Sequence, residues 1–354
     1  MKTLAGIFCG NMKDPDESKR GRVGVVDFPE KEIDDYSVKV RVAYCAICGS
    51  DPHTVGGSFG YFPPERPFGL GHEVSGVIEE LGSKATKKGF KVGDRVGGNF
   101  IHFCGTCYYC QNGQQQFCTN NRDYRSAGMA EYVVWHEDQL YKLPDDVSLV
   151  EGCLLEPASV VVRMMDKASP KFGHRVAVCG GGPIGQLCLQ AFNMYGATEL
   201  TMIEPIAARR DIALKFGAKH VIDPINQDVA EEGMKFTNGL GYDIVLDASG
   251  AAGAAGSLLK IAAFGGKVVY AAMYPLGFEL PLDLDQYLYR KELTITGSLI
   301  SPYSYPRAAQ LLSRLHLDDF TSAVFNLDDG AKAFDEHLSG KHLKVIIRCN
   351  PDLY

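Results

Sequence analysis

Hydrophobic and polar side chains alternate with a period of two over roughly the first 158 residues of the chain. Successive side chains of a β-strand point to opposite faces, so this alternation predicts half-buried strands. Glycine-rich turns separate the segments concerned, which are residues 3–9, 37–44, 73–80, 91–96 and 130–135. Many short strands with turns between them favour a β-barrel.

From about Arg175 the pattern changes to short apolar strands that alternate with helices. The predicted strands are residues 176–179, 200–203, 220–222, 243–246, 267–271 and 293–296. Strands joined by helices predict a doubly wound parallel sheet, so the fold class is α/β. Beyond residue 301 we predict a further helix at 305–315 and a strand at 344–348.

Composition and charge narrow the class of protein. The 354 residues are 45% hydrophobic and 22% charged, which is typical of a globular protein of about two domains. A net charge of −7 argues against nucleic acid or an anionic membrane as the partner. No apolar run approaches the ~20 residues that cross a bilayer. With most of its eleven cysteines scattered, the chain is expected to be cytoplasmic and reduced.

Four cysteines lie within fifteen residues, at Cys104, Cys107, Cys110 and Cys118. This spacing lets a short loop present four thiolates to one ion, with Zn–S distances of about 2.3 Å. A disulfide pair or chance clustering are the alternatives, but a loop of turn formers with little to bury needs a metal for stability. We therefore predict a structural zinc lobe at about residues 99–120.

A glycine-rich turn follows the strand that ends at Cys179. It reads Gly180-Gly-Gly182-Pro183-Ile184-Gly185, a G-x-G-x-x-G run that opens a helix. Gly180 permits a tight turn, Gly182 lets a pyrophosphate approach, and Gly185 packs the helix on the strand. Free N–H groups at the helix N-terminus can hold phosphate. This context predicts a dinucleotide cofactor.

The next strand ends at Glu204, where a carboxylate can accept hydrogen bonds from the adenosine ribose and would repel a 2′-phosphate. NAD is therefore predicted rather than NADP. Arg209 and Arg210 are the counter-argument, since an arginine could neutralise that phosphate, although they could equally lie on a solvated helix face.

Several further motifs, in a fixed order along the chain, indicate a protein family. They are Cys45–His53 (CAICGSDPH), Gly71–Glu73, Gly93–Val96, the four-cysteine lobe and Leu155–Pro157. With them, residues 35–300 resemble the zinc-dependent medium-chain dehydrogenases, the alcohol and polyol dehydrogenase family. The resemblance implies a GroES-like catalytic domain at 1–158, a Rossmann domain at 159–300 and a return to the catalytic domain at 301–354.

The resemblance also implies a second, catalytic zinc bound by Cys48 and His72. Glu73 and Glu156 match the polyol, or sorbitol-dehydrogenase-like, branch, and we expect one of them to bind loosely so that a position stays open.

Beside this zinc, the resemblance assigns Asp51 to orient His72, and Ser50 and His53 to a proton relay. Cys45 lies in a predicted buried strand and is not expected to bind metal.

The expected activity is hydride transfer between NAD and a secondary alcohol that is a polyol, cyclitol or sugar derivative. Ile300 stands where sorbitol-type members have an arginine, so a simple secondary alcohol, diol or threonine-like amino alcohol stays open. A non-enzymatic zinc or nucleic-acid-binding protein is the remote alternative. Tyr61, Phe62 and Arg66 are candidates to line the substrate cleft. We expect a small-molecule alcohol or ketone substrate and a homodimer or homotetramer.

Overall fold

The structure is a computed structural model that describes residues 1–57, 67–120 and 127–353. The predicted cleft residues Tyr61, Phe62 and Arg66 lie outside these ranges. The chain divides into two compact units. Unit 1 is Met1–Ser159 with Pro302–Tyr354, and unit 2 is Val160–Ser301.

Strands are numbered along the chain. They are β1 (Lys2–Phe8), β2 (Arg22–Asp27), β3 (Ser37–Ala46), β4 (Phe68–Gly69), β5 (Glu73–Leu81), β6 (Arg95–Gly98), β7 (Tyr132–His136), β8 (Leu140–Lys142), β9 (Arg175–Cys179), β10 (Glu199–Ile203), β11 (His220–Ile222), β12 (Tyr242–Asp247), β13 (Ala262–Tyr270), β14 (Thr294–Gly297), β15 (Ala323–Asn326) and β16 (Val345–Arg348).

Helices are numbered in the same way. They are α1 (Ser50–Gly56), α2 (Tyr108–Gln111), α3 (Leu149–Gly152), α4 (Leu155–Ala168), α5 (Pro183–Met194), α6 (Ala207–Lys215), α7 (Val229–Phe236), α8 (Ala252–Ile261), α9 (Tyr305–Leu312) and α10 (Gly330–Ser339). Short 3₁₀ turns lie at Gln115–Phe117, Glu137–Gln139 and Leu327–Asp329, and a π-helical stretch lies at Asp285–Arg290.

Unit 1 is built on two sheets. Seven strands form one sheet, in the order β15-β16-β3-β5-β6-β8 with β7 also paired to β3, and β2-β1-β4 form the other. The central strand β3 carries Val38, Val40 and Val42 into the core, as its period of two predicts. Its last five residues, where β16 and β5 pair with it, are all buried.

Unit 2 is a six-stranded parallel sheet in the order β11-β10-β9-β12-β13-β14, with helices between the strands. The chain runs outward from β9 to β11 and then returns to the other side of β9 with β12. The strand order therefore reverses between β9 and β12, which is where sheets of this kind bind ligands at their carboxyl ends.

Most predicted strands lie within one or two residues of those observed, but β6 was predicted too early. Residues 91–94 form a turn instead, in which Lys91 N donates to Asp94 Oδ2 at 2.8 Å and Gly93 has φ +91°. The strand therefore begins only at Arg95. Helix α9 ends at Leu312, three residues before its predicted end.

None of the eleven cysteines forms a disulfide bond.

Within the three described ranges, no helix has the length and apolar character that a membrane span requires.

Candidate metal and cofactor sites

The pairing of β3 with β5 brings the first candidate metal ligands together. Ala46, at the end of β3, lies opposite Glu73, at the start of β5. Cys48 follows the first strand and His72 precedes the second, so both lie at this junction. One ligand atom from each of Cys48, His72 and Glu73 lies within 4.8 Å of the others.

The turn that leads into His72 requires glycine. Gly71 has φ +88°, and a Cβ there would lie 2.7 Å from Cys45 Sγ and 2.5 Å from Met129 Cγ. Any other side chain would therefore strain the backbone and push the turn away from the buried strand β3.

Asp51 ties the two metal-ligand loops together through their backbones. Its buried carboxylate accepts hydrogen bonds from Cys48 N at 2.8 Å and from Gly71 N at 3.2 Å. Its distance to His72 Nδ1 is 3.8 Å, which is longer than a hydrogen bond. Asp51 thus positions the loops that carry Cys48 and His72, while its link to the imidazole itself is electrostatic. Burial raises the pKa of Asp51 above its ordinary value.

Glu73 has a cationic partner that the sequence did not reveal. Lys344 Nζ, just before β16, donates to Glu73 Oε1 at 2.6 Å, and both side chains are almost fully buried. The other oxygen, Glu73 Oε2, is buried with no hydrogen-bond partner. A buried carboxylate oxygen without a partner is costly, so this atom is suited to a ligand that the chain itself does not supply.

Glu156, in the first turn of α4, is buried near the same cluster. Its burial and the neighbouring charge of Glu73 raise the pKa of Glu156 to about 7, although His72 and Lys344 act in the opposite direction. Its carboxylate is not one of the three groups that lie within 4.8 Å of one another. Glu156 therefore belongs to the electrostatic surroundings of the cluster in this structure.

The charges around His72 also fit a bound cation. Burial opposes the charged imidazolium, but the charges of Cys48, Asp51 and Glu156 outweigh it and raise the pKa of His72 well above its ordinary value. A site that holds a proton this strongly is one that a divalent cation can occupy in the proton's place. Thiol, imidazole and carboxylate donors are the set found in catalytic zinc sites.

Helix α1 carries the two predicted relay residues. Ser50 is its first residue and is half-buried, whereas His53 is exposed, and a spacing of three places them on neighbouring positions of one helix face. The helix thus leads from the half-buried Cys48 toward solvent.

The four-cysteine lobe has the dimensions of a metal site. The Sγ atoms of Cys104, Cys107, Cys110 and Cys118 all lie within 4.8 Å of one another. The Cys104–Cys118 Sγ distance is 3.5 Å, far longer than a disulfide bond of about 2.05 Å. Hydrogen bonds from Thr106 and Cys107 lower the pKa of Cys104 to about 6, which favours the thiolate that binds metal.

Tyr303 is a second residue that sequence reasoning missed in this role. Its hydroxyl donates to Cys110 O at 3.0 Å, on the four-cysteine lobe, and its backbone has φ +57°. Tyr303 therefore links the segment before α9 to the four-cysteine lobe.

The glycine-rich turn of unit 2 shows why small residues are needed. Gly180 has φ +96°, and a Cβ on Gly185 would lie 1.7 Å from Gly180 O. By contrast, a Cβ on Gly182 would meet nothing within 4 Å. Gly182 is also the N-cap of α5, with Pro183 in the first turn and no capping side chain among the described residues. Open space beside uncapped N–H groups fits a phosphate group.

Glu204 lies against this turn with both carboxylate oxygens engaged. Oε2 accepts from Gly181 N at 2.6 Å and Oε1 from Ile206 N at 2.9 Å. Each oxygen keeps a second lone pair that a ribose hydroxyl could use. Arg210 Nη1 donates to Glu204 O at 2.8 Å, and its Nη2 pairs with Asp223 at 3.1 Å. The carbonyl of Arg209 accepts from Gln186 Nε2 at 2.7 Å.

Comparison with known proteins identifies the family. Residues 34–145 match the family model described as alcohol dehydrogenase GroES-like domain, and residues 183–314 match the one described as zinc-binding dehydrogenase. D-arabitol-phosphate dehydrogenase of Enterococcus avium is 32% identical over 94% of this chain and 95% of its own length. The chain belongs to the zinc-dependent medium-chain dehydrogenases.

Other members of this family are about as similar. D-xylulose reductase A of Aspergillus niger is 32% identical over 92% of this chain and 93% of its own length. A protein from Sinorhizobium meliloti solved with NADP is 29% identical, covers 98% of this chain and 99% of its own, and superposes with a TM-score of 0.86.

As a medium-chain dehydrogenase, the protein is an oxidoreductase that depends on zinc and a nicotinamide cofactor. The predicted family and the fold class, a GroES-like domain with a Rossmann domain, are confirmed.

Proposed function

We propose that this dehydrogenase transfers a hydride between NAD and a polyhydroxylated secondary alcohol. The observation that carries the proposal is the convergence of Cys48, His72 and Glu73, together with a buried Glu73 oxygen that has no hydrogen-bond partner. A catalytic metal needs such donors together with an open position.

Cys48, His72 and Glu73 would hold the catalytic zinc, with the buried carboxylate of Glu156 among the charges that surround it. When bound, zinc supplies a Lewis acid that eases the loss of a proton from an alcohol. A thiolate and a carboxylate would cancel the charge of the ion, and Lys344 adds one positive charge beside Glu73. This lysine offsets the negative charge that Glu156 would add.

Ser50 and His53 would move the proton of the alcohol outward. Ser50 is half-buried and lies two residues after Cys48, so its hydroxyl could accept a hydrogen bond from a substrate bound there. His53 is exposed, so its imidazole can pass a proton on to water.

The four-cysteine lobe would bind the second zinc of the chain. All four donors come from the protein, so this ion would be structural and would leave no position for substrate. The hydrogen bond from Tyr303 would then fix the lobe to the segment before α9.

For the cofactor, the glycine-rich turn would bind the pyrophosphate and Glu204 the adenosine ribose. Glu204 is buried and its carboxylate is held by two backbone N–H groups, so it cannot turn away from an added 2′-phosphate without losing them. This favours NAD. The Sinorhizobium relative solved with NADP supports the alternative cofactor, NADP. In that case Arg209 would be the residue that pairs with the 2′-phosphate.

Two of the relatives named above act on hydroxyl-rich carbon chains, an arabitol phosphate and xylulose, which favours a polyol for this chain as well. Ile300 favours the second candidate, a plain secondary alcohol or diol, because its apolar side chain cannot bind a sugar hydroxyl. Ile300 also has φ +41°, unusual for a β-branched residue, and such strain is often found at functional sites.

Rates of NADH formation over a panel of pentitols, hexitols, cyclitols, polyol phosphates, diols and 2-propanol test this proposal. The best polyol should exceed 2-propanol in kcat/KM by about 100-fold, since two lost hydrogen bonds are each worth about 1–1.5 kcal/mol. Equal efficiency on 2-propanol would favour the second candidate. Activity with NADP alone would refute the choice of cofactor.

A further inference from the structure

A group of polar side chains in unit 2 has no part in the site described so far. Asp247 ends β12 and is fully buried. Its Oδ1 accepts hydrogen bonds from Ser249 N at 2.9 Å and Ser249 Oγ at 2.6 Å. Its Oδ2 accepts a hydrogen bond from the hydroxyl of Tyr274, which lies in the segment after β13. One buried carboxylate thus holds together the segments that follow two neighbouring strands.

These segments touch the glycine-rich turn. Gly180 approaches Ser249 so closely that a Cβ on the glycine would lie 2.8 Å from Ser249 Cα. Gly250 in turn packs on the backbone of residue 273, since a Cβ there would lie 2.2 Å from Met273 O. A continuous chain of contacts therefore runs from the pyrophosphate turn to Tyr274.

The position in the sheet indicates which half of a dinucleotide these residues face. Glu204 lies on the β10 side of the point where the strand order reverses, and there it would meet the adenosine ribose. Asp247 and Tyr274 follow β12 and β13, on the opposite side. Because the two halves of such a sheet each take one nucleotide, the β12–β13 side faces the nicotinamide half.

We propose that Tyr274, held by its hydrogen bond to Asp247, is a positioning residue for the nicotinamide ring. It would fix residues 271–278 at the carboxyl edge of the sheet, where their backbone can meet the ring. This rests on the proposed binding of a nicotinamide dinucleotide.

The surroundings of Tyr274 support a fixed conformation. Its ring stacks on Phe278 with centroids 5.3 Å apart and planes 14° apart, and meets Tyr270 edge-on at 6.1 Å. Burial and the charge of Asp247 raise the pKa of Tyr274, so the hydroxyl stays a donor throughout the neutral range. The neighbouring Leu276 is exposed, which leaves the tyrosine as the anchor of an otherwise solvated segment.

The test compares two ligands that differ only by the nicotinamide ring. NADH and ADP-ribose are titrated calorimetrically into the zinc-loaded, full-length protein and into Tyr274→Phe. Without the Tyr274 hydroxyl, the affinity for NADH should fall about tenfold, which corresponds to the loss of one hydrogen bond. The affinity for ADP-ribose should stay within twofold of the wild-type value. Tyr270→Phe is the matched control, because its hydroxyl donates to Ala255 O at 2.8 Å and not to Asp247. It should leave both affinities unchanged.

Asp247→Asn approaches the same hydrogen bond from the other side. Its amide oxygen can still accept from Ser249, but its NH₂ group cannot accept from Tyr274. We expect the same selective loss of NADH affinity, and no further loss when both substitutions are combined. Equal weakening of both ligands, or additive effects in the double variant, would overturn the positioning role. Wild-type protein that binds neither ligand would instead refute the proposed function.

Discussion

The buried Glu73–Lys344 pair allows a quantitative prediction. In Lys344→Met the side chain keeps its length but loses its charge, and Glu73 Oε1 loses the donor now 2.6 Å away. The side chains are only 1% and 4% exposed, so water cannot replace that donor. In the metal-free protein, removing one partner of a buried pair costs about 3–5 kcal/mol, because the other charge is left without compensation.

A surface pair provides the matched control. Lys2 Nζ lies 2.9 Å from Asp328 Oδ1, a similar distance, but these side chains are 50% and 69% exposed. Exposed pairs contribute about 0–1 kcal/mol, so Lys2→Met should change the free energy of unfolding little. Both pairs lie in unit 1, so burial is the main difference between the two substitutions.

Urea unfolding followed by fluorescence measures the effect, since Trp135 is the chain's single tryptophan and is buried in unit 1. Adding Glu73→Gln to Lys344→Met should recover most of the lost stability, because the unpaired charge is then gone. The reasoning is refuted if Lys344→Met lowers the free energy of unfolding no more than Lys2→Met does. It is also refuted if adding Glu73→Gln restores none of the lost stability.

Three further substitutions test the candidate sites. Cys107→Ser should lower the zinc content from two ions to one and reduce the thermal midpoint, whereas Cys9→Ser, an exposed thiol, should do neither. His72→Ala should reduce turnover by more than about 100-fold, because removing even a group that only supports a metal ligand lowers activity 10–100-fold. His174→Ala is the control and should keep the wild-type turnover. A His72→Ala variant that stays active would exclude the ligand role. Glu204→Ala should narrow the ratio of kcat/KM for NAD over NADP by at least about tenfold, and an unchanged ratio would contradict the ribose assignment.

Local patterns were enough to predict most of the sheet strands. The alternation in β3 and the apolar runs of β9 and β10 each predicted a strand that the structure contains. For β6 the same reasoning failed, because Asp94 bonds back to Lys91 and delays the strand. Side-chain hydrogen bonds of this kind compete with strand pairing and leave no periodic signal.

The candidate sites were only partly predictable, for a related reason. Motifs singled out Cys48 and His72, whose roles stay predictions. Lys344 was not singled out, because its partner Glu73 lies 271 residues away and nothing near it in sequence marks it as special. Glu204 was expected at the glycine turn from its spacing, but spacing could not show that its carboxylate would already be bonded to Gly181 and Ile206.

The division of unit 1 between two stretches of chain has a consequence for its biosynthesis. A ribosome completes Val160–Ser301 before it reaches Lys344, so unit 2 can fold while unit 1 still lacks β15 and β16. During that interval the Glu73 carboxylate has no lysine to neutralise it, and β3 lacks one neighbouring strand. We therefore expect nascent unit 1 to be the part of the chain that depends on chaperones and on early zinc supply.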